Sequence, residues 1–234
     1  MYLFSLIVVF GLTIPVSAQE DVEHPKEKVI HEAKEIKDLN VLFAKAKRET
    51  NVLQKYKVEN NSSKENNGLE VKEYKTSQVL EVKLVGDTQV EEIAETTFTI
   101  VNDPQEVSIA STGSKYEESW DDSIGVKAYS TIYFTKTTSG GIEYGKLTSI
   151  SGGWSRSDTT ISLSGRKVTF GQSGWPAGSQ TKTVYPTGNT WNYTAPSTWD
   201  AVSLDADYTL GATSTVTLTR GTRSSWTLKL SNNL

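Results

Sequence analysis

The sequence predicts a mainly β protein, in which a C-terminal antiparallel β-sandwich follows an N-terminal charged helix and a β-hairpin. Short segments between residues 125 and 230 alternate apolar with polar side chains, a period typical of half-buried strands. Glycine, proline and asparagine turn signals separate these segments, and no helix-period run occurs among them. The connections are too short for crossover helices, which favours antiparallel pairing. Immunoglobulin-like and jelly-roll-like sandwiches have this pattern.

Residues 1–18 are predicted to be a secretory signal peptide. Residues 2–14 form a short apolar stretch, and the Val-Ser-Ala tripeptide that ends at Ala18 has the small residues of a cleavage site. The stretch is shorter than the roughly 20 apolar residues of a spanning helix, although no lysine or arginine precedes it. We expect a secreted protein whose mature chain begins at Gln19, with an uncleaved membrane anchor as the alternative.

Residues 19–58 are predicted to form a charged amphipathic helix. Ile36, Leu39, Phe43 and Ala46 have the spacing of one apolar stripe, and lysine and glutamate occupy the other faces. The stripe is too short for a coiled coil. Because isolated helices are only marginally stable, we expect this one to dock on the β domain or to be marginal. Pairing with a partner helix and lying on a membrane are the alternatives.

Two polar segments flank a predicted β-hairpin. Residues 59–74 contain an asparagine-rich polar run and are predicted to be a flexible linker. Residues 75–101 alternate about a Gly86-Asp87 turn and form the hairpin. Since two strands alone are barely stable in water, we expect the hairpin to pack on the helix as a small α+β unit rather than to extend the main sheet. Residues 102–122 are predicted to be an acidic linker.

Residues 123–234 are predicted to be the sandwich domain. The first strand alternates from Val126 to Thr135, and a two-glycine turn follows before the chain returns. Gly152-Gly153 is expected to interrupt the next strand as a bulge or a turn, and Ser164-Gly165 is expected to turn the chain.

Charge divides the chain into two unlike halves. Residues 19–122 hold 14 basic and 23 acidic residues, a net charge of −9, whereas residues 123–234 hold 10 basic and 5 acidic residues, a net charge of +5. We interpret this mainly as two kinds of solvated surface. Attraction of the basic half to anionic envelope polymers or lipid headgroups is the functional alternative.

The residue types exclude several chemistries. The chain has no cysteine, and its two histidines are His24 and His31. The β domain therefore lacks the residues of Ser-His-Asp and Cys-His sites and of Cys- or His-rich zinc sites. No glycine-rich phosphate loop occurs at a strand-to-helix turn. We expect no enzyme, no catalytic residues, no cofactor, no metal and no nucleic-acid partner.

Carboxylates leave one catalytic alternative open. The β domain has five acidic residues, and a glycosidase would need two of them across a cleft. Asp205 or Asp207 with Asp200 or Glu143 is the candidate pairing. Asp205 and Asp207 also have the spacing of a calcium loop, although too few further oxygens lie nearby. Aspartates that form a turn beside a strand are the favoured interpretation.

Aromatic residues are the candidate ligand-binding residues, because exposed aromatic faces can stack on sugar rings or peptide segments. Trp175 lies in a glycine-rich loop without alternation that would bury it. Trp191 and Tyr193 share a strand face, as do Tyr129 and Tyr133. We expect these five residues to form any recognition surface, although a single tryptophan is more often packed in a core.

These observations predict a secreted bacterial protein with a non-catalytic role at the cell envelope, where a glycan or a surface protein is the ligand. The order of signal peptide, charged helix, hairpin and Ser/Thr/Trp-rich β domain is similar to that of secreted proteins of Gram-positive bacteria, and this resemblance implies no activity. A membrane-acting pore-forming toxin is one alternative, because pore formers insert similar Ser/Thr-rich strands. A carboxylate-dependent glycosidase is the other.

Overall fold

The computed structural model of the protein describes residues 26–54, 70–102, 125–221 and 225–234. These residues form 11 strands and one helix, α1 (Leu39–Gln54). The strands are β1 (Glu27–Glu32), β2 (Glu70–Val85), β3 (Thr88–Asn102), β4 (Val126–Ser139), β5 (Ile142–Arg156), β6 (Ile161–Gly174), β7 (Gly178–Val184), β8 (Thr190–Thr194), β9 (Val202–Ser203), β10 (Thr209–Arg220) and β11 (Trp226–Asn233).

The strands form two antiparallel sheets. Sheet A has the order β1-β2-β3-β4-β5-β8, and the short strand β9 also pairs with β5. Sheet B has the order β11-β10-β6-β7. The predicted mainly β class, with two packed sheets, an N-terminal helix and a hairpin, is confirmed.

The main core lies between the two sheets. Ala128, Ile132 and Phe134 point inward from β4, and Val216 and Leu218 point inward from β10. All five are buried, and intervening residues face away because successive side chains of a strand alternate. A fully buried valine, leucine, isoleucine or phenylalanine side chain contributes about 2 kcal/mol through the hydrophobic effect. The two-residue alternation in the sequence therefore correctly predicts which side chains of these strands face the core.

Helix α1 covers the opposite face of sheet A. Phe43 and Ala46 pack there against Phe98 and Ile100 of β3. The helix begins at Leu39, much later than predicted, because Asp38 caps it: the Asn40 and Val41 amides donate to Oδ1 of Asp38 over 2.8 and 3.3 Å.

The segment before α1 differs from the prediction as well. Residues 27–32, which lie within the predicted helix 19–58, form the edge strand β1 and pair with β2. Val29 and Ile30 are both β-branched, which favours an extended strand, and pairing satisfies backbone groups on the free edge of β2.

The hairpin β2–β3 packs on helix α1, as expected, but it also extends sheet A, so it does not form an α+β unit apart from the main sheet. β3 pairs with β4 from Val90 opposite Thr137 to Val101 opposite Val126. This pairing satisfies the unpaired backbone groups on the edges of both β4 and the hairpin. The hairpin therefore joins sheet A instead of packing on the helix alone. Residues 70–74 of the predicted linker belong to β2. The predicted signal peptide, residues 59–69 and residues 103–122 lie outside the described residues.

Two glycine sites do not turn the chain as expected. Strand β5 continues through Gly152 and Gly153, which instead allow aromatic side chains to lie close to the strand. Strand β6 likewise continues through Gly165, whose φ of +58° accompanies a shift of register against β10. A β-bulge accommodates the extra residue there without ending the strand.

Candidate functional site

The five predicted ligand-binding aromatics do not converge on one surface. Trp191 is only 6% exposed and lies in the core between the sheets. Tyr193 is half-buried, and its ring stacks on Phe170 with centroids 6.2 Å apart. The strand-face pairing of Trp191 with Tyr193 was therefore correct, but that face points inward. Trp175 is 62% exposed at the β6–β7 turn.

Tyr129 and Tyr133 lie on the other side of sheet A, on the face that α1 covers. Tyr129 packs against the helix cluster, and burial raises the pKa of its phenol. The Tyr133 hydroxyl donates a 2.7 Å hydrogen bond to Oε1 of Glu35. Burial, followed by that bond, raises the pKa of Tyr133 to about 12. Tyr133 thus anchors the segment between β1 and α1, whereas Tyr129 lies against the helix itself.

Trp175 stands on a turn that the rest of the fold holds in place. The Ser203 amide donates a 2.7 Å hydrogen bond to the Trp175 carbonyl. Gly174, at a φ of +151°, packs so closely that a Cβ there would be 3.2 Å from Cβ of Tyr208. Ala177 packs on the main core. The backbone is thus fixed on both sides of an exposed indole.

Tyr144, which is half-buried, lies beside this exposed indole. Its ring centroid lies 6.4 Å from that of Trp175, with a tilt of 38° between the planes. Tyr144 is brought there because it pairs with Ser203, the residue whose amide holds the Trp175 carbonyl. The two rings form a tilted platform at one end of the sandwich.

Two acidic residues lie beside Tyr144 at this end of the fold. Oδ2 of Asp205 accepts a 3.0 Å hydrogen bond from the Glu143 amide, next to Tyr144 in the chain. Oε1 of Glu143 lies 3.2 Å from Nζ of Lys136, which also lies 3.5 Å from Oε2 of Glu91. We name Glu143, Tyr144, Trp175 and Asp205 the aromatic rim. Its rings offer apolar faces, and its carboxylates offer hydrogen-bond acceptors.

The remaining carboxylates of the glycosidase hypothesis have different surroundings. The Asp200 amide donates a 2.7 Å hydrogen bond to Oε1 of Gln180, and Nε2 of Gln180 donates a 3.0 Å hydrogen bond to the Asp200 carbonyl. Asp207 is exposed beside Gly174. The structure therefore brings Glu143 and Asp205 together through a backbone contact, and the glycosidase hypothesis stays a prediction.

Neither a metal cluster nor a membrane-spanning helix occurs in the described part of the chain. No group of three or more histidine and carboxylate side chains is arranged there to hold a metal ion. Helix α1, the one helix in that part, lacks the length and apolar character needed to cross a bilayer.

Sequence reasoning missed Tyr144 as a member of the rim. The available signal was its position just after the two-glycine turn of Gly140 and Gly141, where side chains lie at the end of a sheet. Its contact with Trp175 joins residues on different sheets, so no local pattern indicated it.

Comparison of the chain with protein-family models, with curated proteins and with solved structures gave no match.

Proposed function

We propose that this protein is a secreted, non-catalytic binding protein that holds a glycan of the cell envelope at the aromatic rim. The exposed indole of Trp175 on its rigid turn is the observation that carries the proposal. An exposed indole contributes little to the stability of the fold, since large aromatic side chains stabilise a protein mainly when buried. Its preorganised position would lower the entropic cost of binding a ligand.

The chemistry of the rim suits a sugar. A pyranose ring has an apolar C–H face and a perimeter of hydroxyl groups. Trp175 and Tyr144 would cover the apolar face of one or two sugar units, because their centroids are 6.4 Å apart. The carboxylate of Asp205, which contacts the Glu143 amide, would accept hydrogen bonds from sugar hydroxyls, and charged acceptors make the stronger bonds.

The same residues support binding rather than catalysis. The β domain has neither histidine nor cysteine, and Oδ2 of Asp205 accepts a hydrogen bond from the Glu143 amide. The Glu143 carboxylate is paired with Lys136. Carboxylates engaged in this way are suited to hold a turn and to orient a ligand.

Intrinsic fluorescence tests the proposal directly. Among the described residues Trp175 is the one exposed tryptophan, so its emission should change when an envelope oligosaccharide, such as a soluble peptidoglycan fragment, is titrated. Trp175→Ala removes this fluorophore, so its binding is measured by titration calorimetry. Binding should weaken about tenfold, since an aromatic contact contributes about 1–1.5 kcal/mol.

Tyr185→Ala is the matched control, because Tyr185 is 72% exposed at the other end of β7. It should leave binding unchanged. Equal losses in the two variants, or no binding to any of a panel of envelope glycans, would refute the proposal. Binding of a purified surface protein that depends on Trp175, without binding of glycans, would replace the glycan by a protein ligand.

A further inference from the structure

Sheet B carries charge of one sign. Its four strands contain no aspartate or glutamate. They contain five basic residues, which are Arg166, Lys167, Lys182, Arg220 and Lys229. Solvated sheet surfaces ordinarily intersperse the two signs. The excess positive charge of residues 123–234 is therefore concentrated in this sheet.

The two arginines of sheet B are engaged within the fold. Nη2 of Arg220 lies 2.8 Å from Oδ2 of Asp158. Nε and Nη2 of Arg166 donate to Oδ1 of Asn189 over 3.1 and 2.6 Å. The three lysines differ, since Lys167, Lys182 and Lys229 are exposed and none forms an ion pair with a described residue.

Two of these lysines lie in one row across the sheet. Thr215 of β10 is the register partner of Lys167 on β6 and of Lys229 on β11. All three point away from the core, because the alternate residues Val168 and Val216 point into it. Adjacent strands are about 4.8 Å apart, so the lysine backbones are about 10 Å apart, with a threonine between them.

Hydroxyl groups fill the next row. Thr213 is opposite Thr169 and Ser231. Oγ1 of Thr213 lies 3.2 Å from Oγ of Ser231, and Oγ1 of Thr169 lies 3.0 Å from Oγ1 of Thr183. In each pair one hydroxyl donates to the other, so one hydroxyl per pair is left to donate outward. The face thus combines ammonium groups with neutral donors, and no carboxylate competes for them within sheet B.

We propose that this face, centred on Thr215 and flanked by Lys167 and Lys229, binds the phosphate groups of an anionic polymer. Phosphate oxygens are strong acceptors for ammonium and hydroxyl donors. A polymer is favoured because single exposed charge contacts are weak, whereas several phosphates along a chain can occupy the row and its neighbours together. The site is on the outer face of sheet B and is separate from the aromatic rim.

The test uses the full chain and long-chain inorganic polyphosphate as the probe. Lys167→Gln combined with Lys229→Gln should weaken binding about tenfold at low salt. Lys28→Gln combined with Lys34→Gln is the matched control, because it removes the same charge from two exposed lysines near the N terminus. The control should change binding less than about twofold. Binding of the unaltered chain should also fall steeply between about 50 and 200 mM salt.

A further variant separates the hydroxyl groups from the charges. Thr213→Val with Thr215→Val keeps both lysines and the side-chain shape, and it should weaken binding about threefold. Equal effects of the two double lysine variants would overturn the proposal, because they would indicate attraction to net charge alone. Absence of polyphosphate binding at low salt would overturn it too, as would equally tight, lysine-dependent binding to phosphatidylglycerol vesicles.

Discussion

The indole ring of Trp191 lies directly on the backbone of Gly152. The two residues are register partners on β8 and β5. A Cβ atom on Gly152 would be 2.3 Å from Cζ2 of Trp191 and 2.5 Å from the carbonyl oxygen of Tyr129. The tryptophan can therefore enter the core only because residue 152 has no side chain. A glycine in the middle of a strand here is a packing requirement rather than a break.

Gly152→Ala should destabilise the fold by about 2–3 kcal/mol, because the methyl group would displace both the indole and a backbone carbonyl. Gly188→Ala is the matched control, since its nearest neighbour would be 3.8 Å away. It should change the free energy of unfolding by less than about 0.5 kcal/mol. Urea denaturation monitored by circular dichroism measures both, and similar midpoints for the two variants would contradict the packing argument.

Asn232 joins the two sheets through three hydrogen bonds, of which two are buried and one is partly buried. Its Nδ2 donates to the carbonyls of Glu95 and Ser130 over 2.9 and 2.8 Å. Its Oδ1 accepts a 2.8 Å bond from the Thr97 hydroxyl. Asn232→Ala should cost about 3 kcal/mol, because it leaves these buried groups without their partner.

The neighbouring substitution Asn233→Ala is the control for this junction. Asn233 is exposed, and its backbone carbonyl, which accepts from Lys75 over 2.8 Å, would persist in the variant. The free energy of unfolding should change by less than about 0.5 kcal/mol. An Asn232 variant as stable as the Asn233 variant would show that the junction contributes no stability.

Ionisation of Tyr133 should lower the free energy of unfolding at alkaline pH. Its folded-state pKa of about 12 lies above the ordinary value of 10.0. Its contribution is therefore complete below the ordinary pKa and is lost as the pH rises through the folded-state pKa. The tyrosinate absorbance of the folded protein should include one step near pH 12 that disappears in Tyr133→Phe.

Glu35→Gln should shift that step to lower pH, because the Glu35 carboxylate raises the pKa of Tyr133 through its hydrogen bond and its charge. The amide oxygen can still accept the bond, so the fold should persist. An identical titration in Glu35→Gln would show that the Glu35 carboxylate does not affect the pKa of Tyr133, despite their contact.

Secretion predicts a processed N terminus. Protein recovered from the medium of an expressing bacterium should begin at Gln19, since the small residues ending at Ala18 suit signal peptidase. Ala18→Arg should block cleavage and leave the precursor in the cell. N-terminal sequencing decides the matter, and a membrane fraction that retains residues 1–18 in the unaltered protein would favour the anchor instead.

The alternation of apolar and polar side chains predicted which residues share a strand face. It was a poorer guide to which aromatic residues form the aromatic rim. It placed Trp191 and Tyr193 on one face, but the direction of that face depends on sheet B, which pairs through residues far along the chain. It found Trp175 because a turn without alternation leaves a side chain free of strand packing. It missed Tyr144, whose role follows from the pairing with Ser203.

The amino-acid order alone determined the β class, the inward positions of β4 and β10, and the split of charge between the halves. These properties are local, since alternation and composition act on each segment by itself. The tertiary structure decided which edge the β2–β3 hairpin joined, which aromatics were buried, and that Lys167 and Lys229 share one row. Those outcomes depend on the partners that each strand edge and each sheet face finds, and hydrogen bonding and burial select the partners only when distant segments meet.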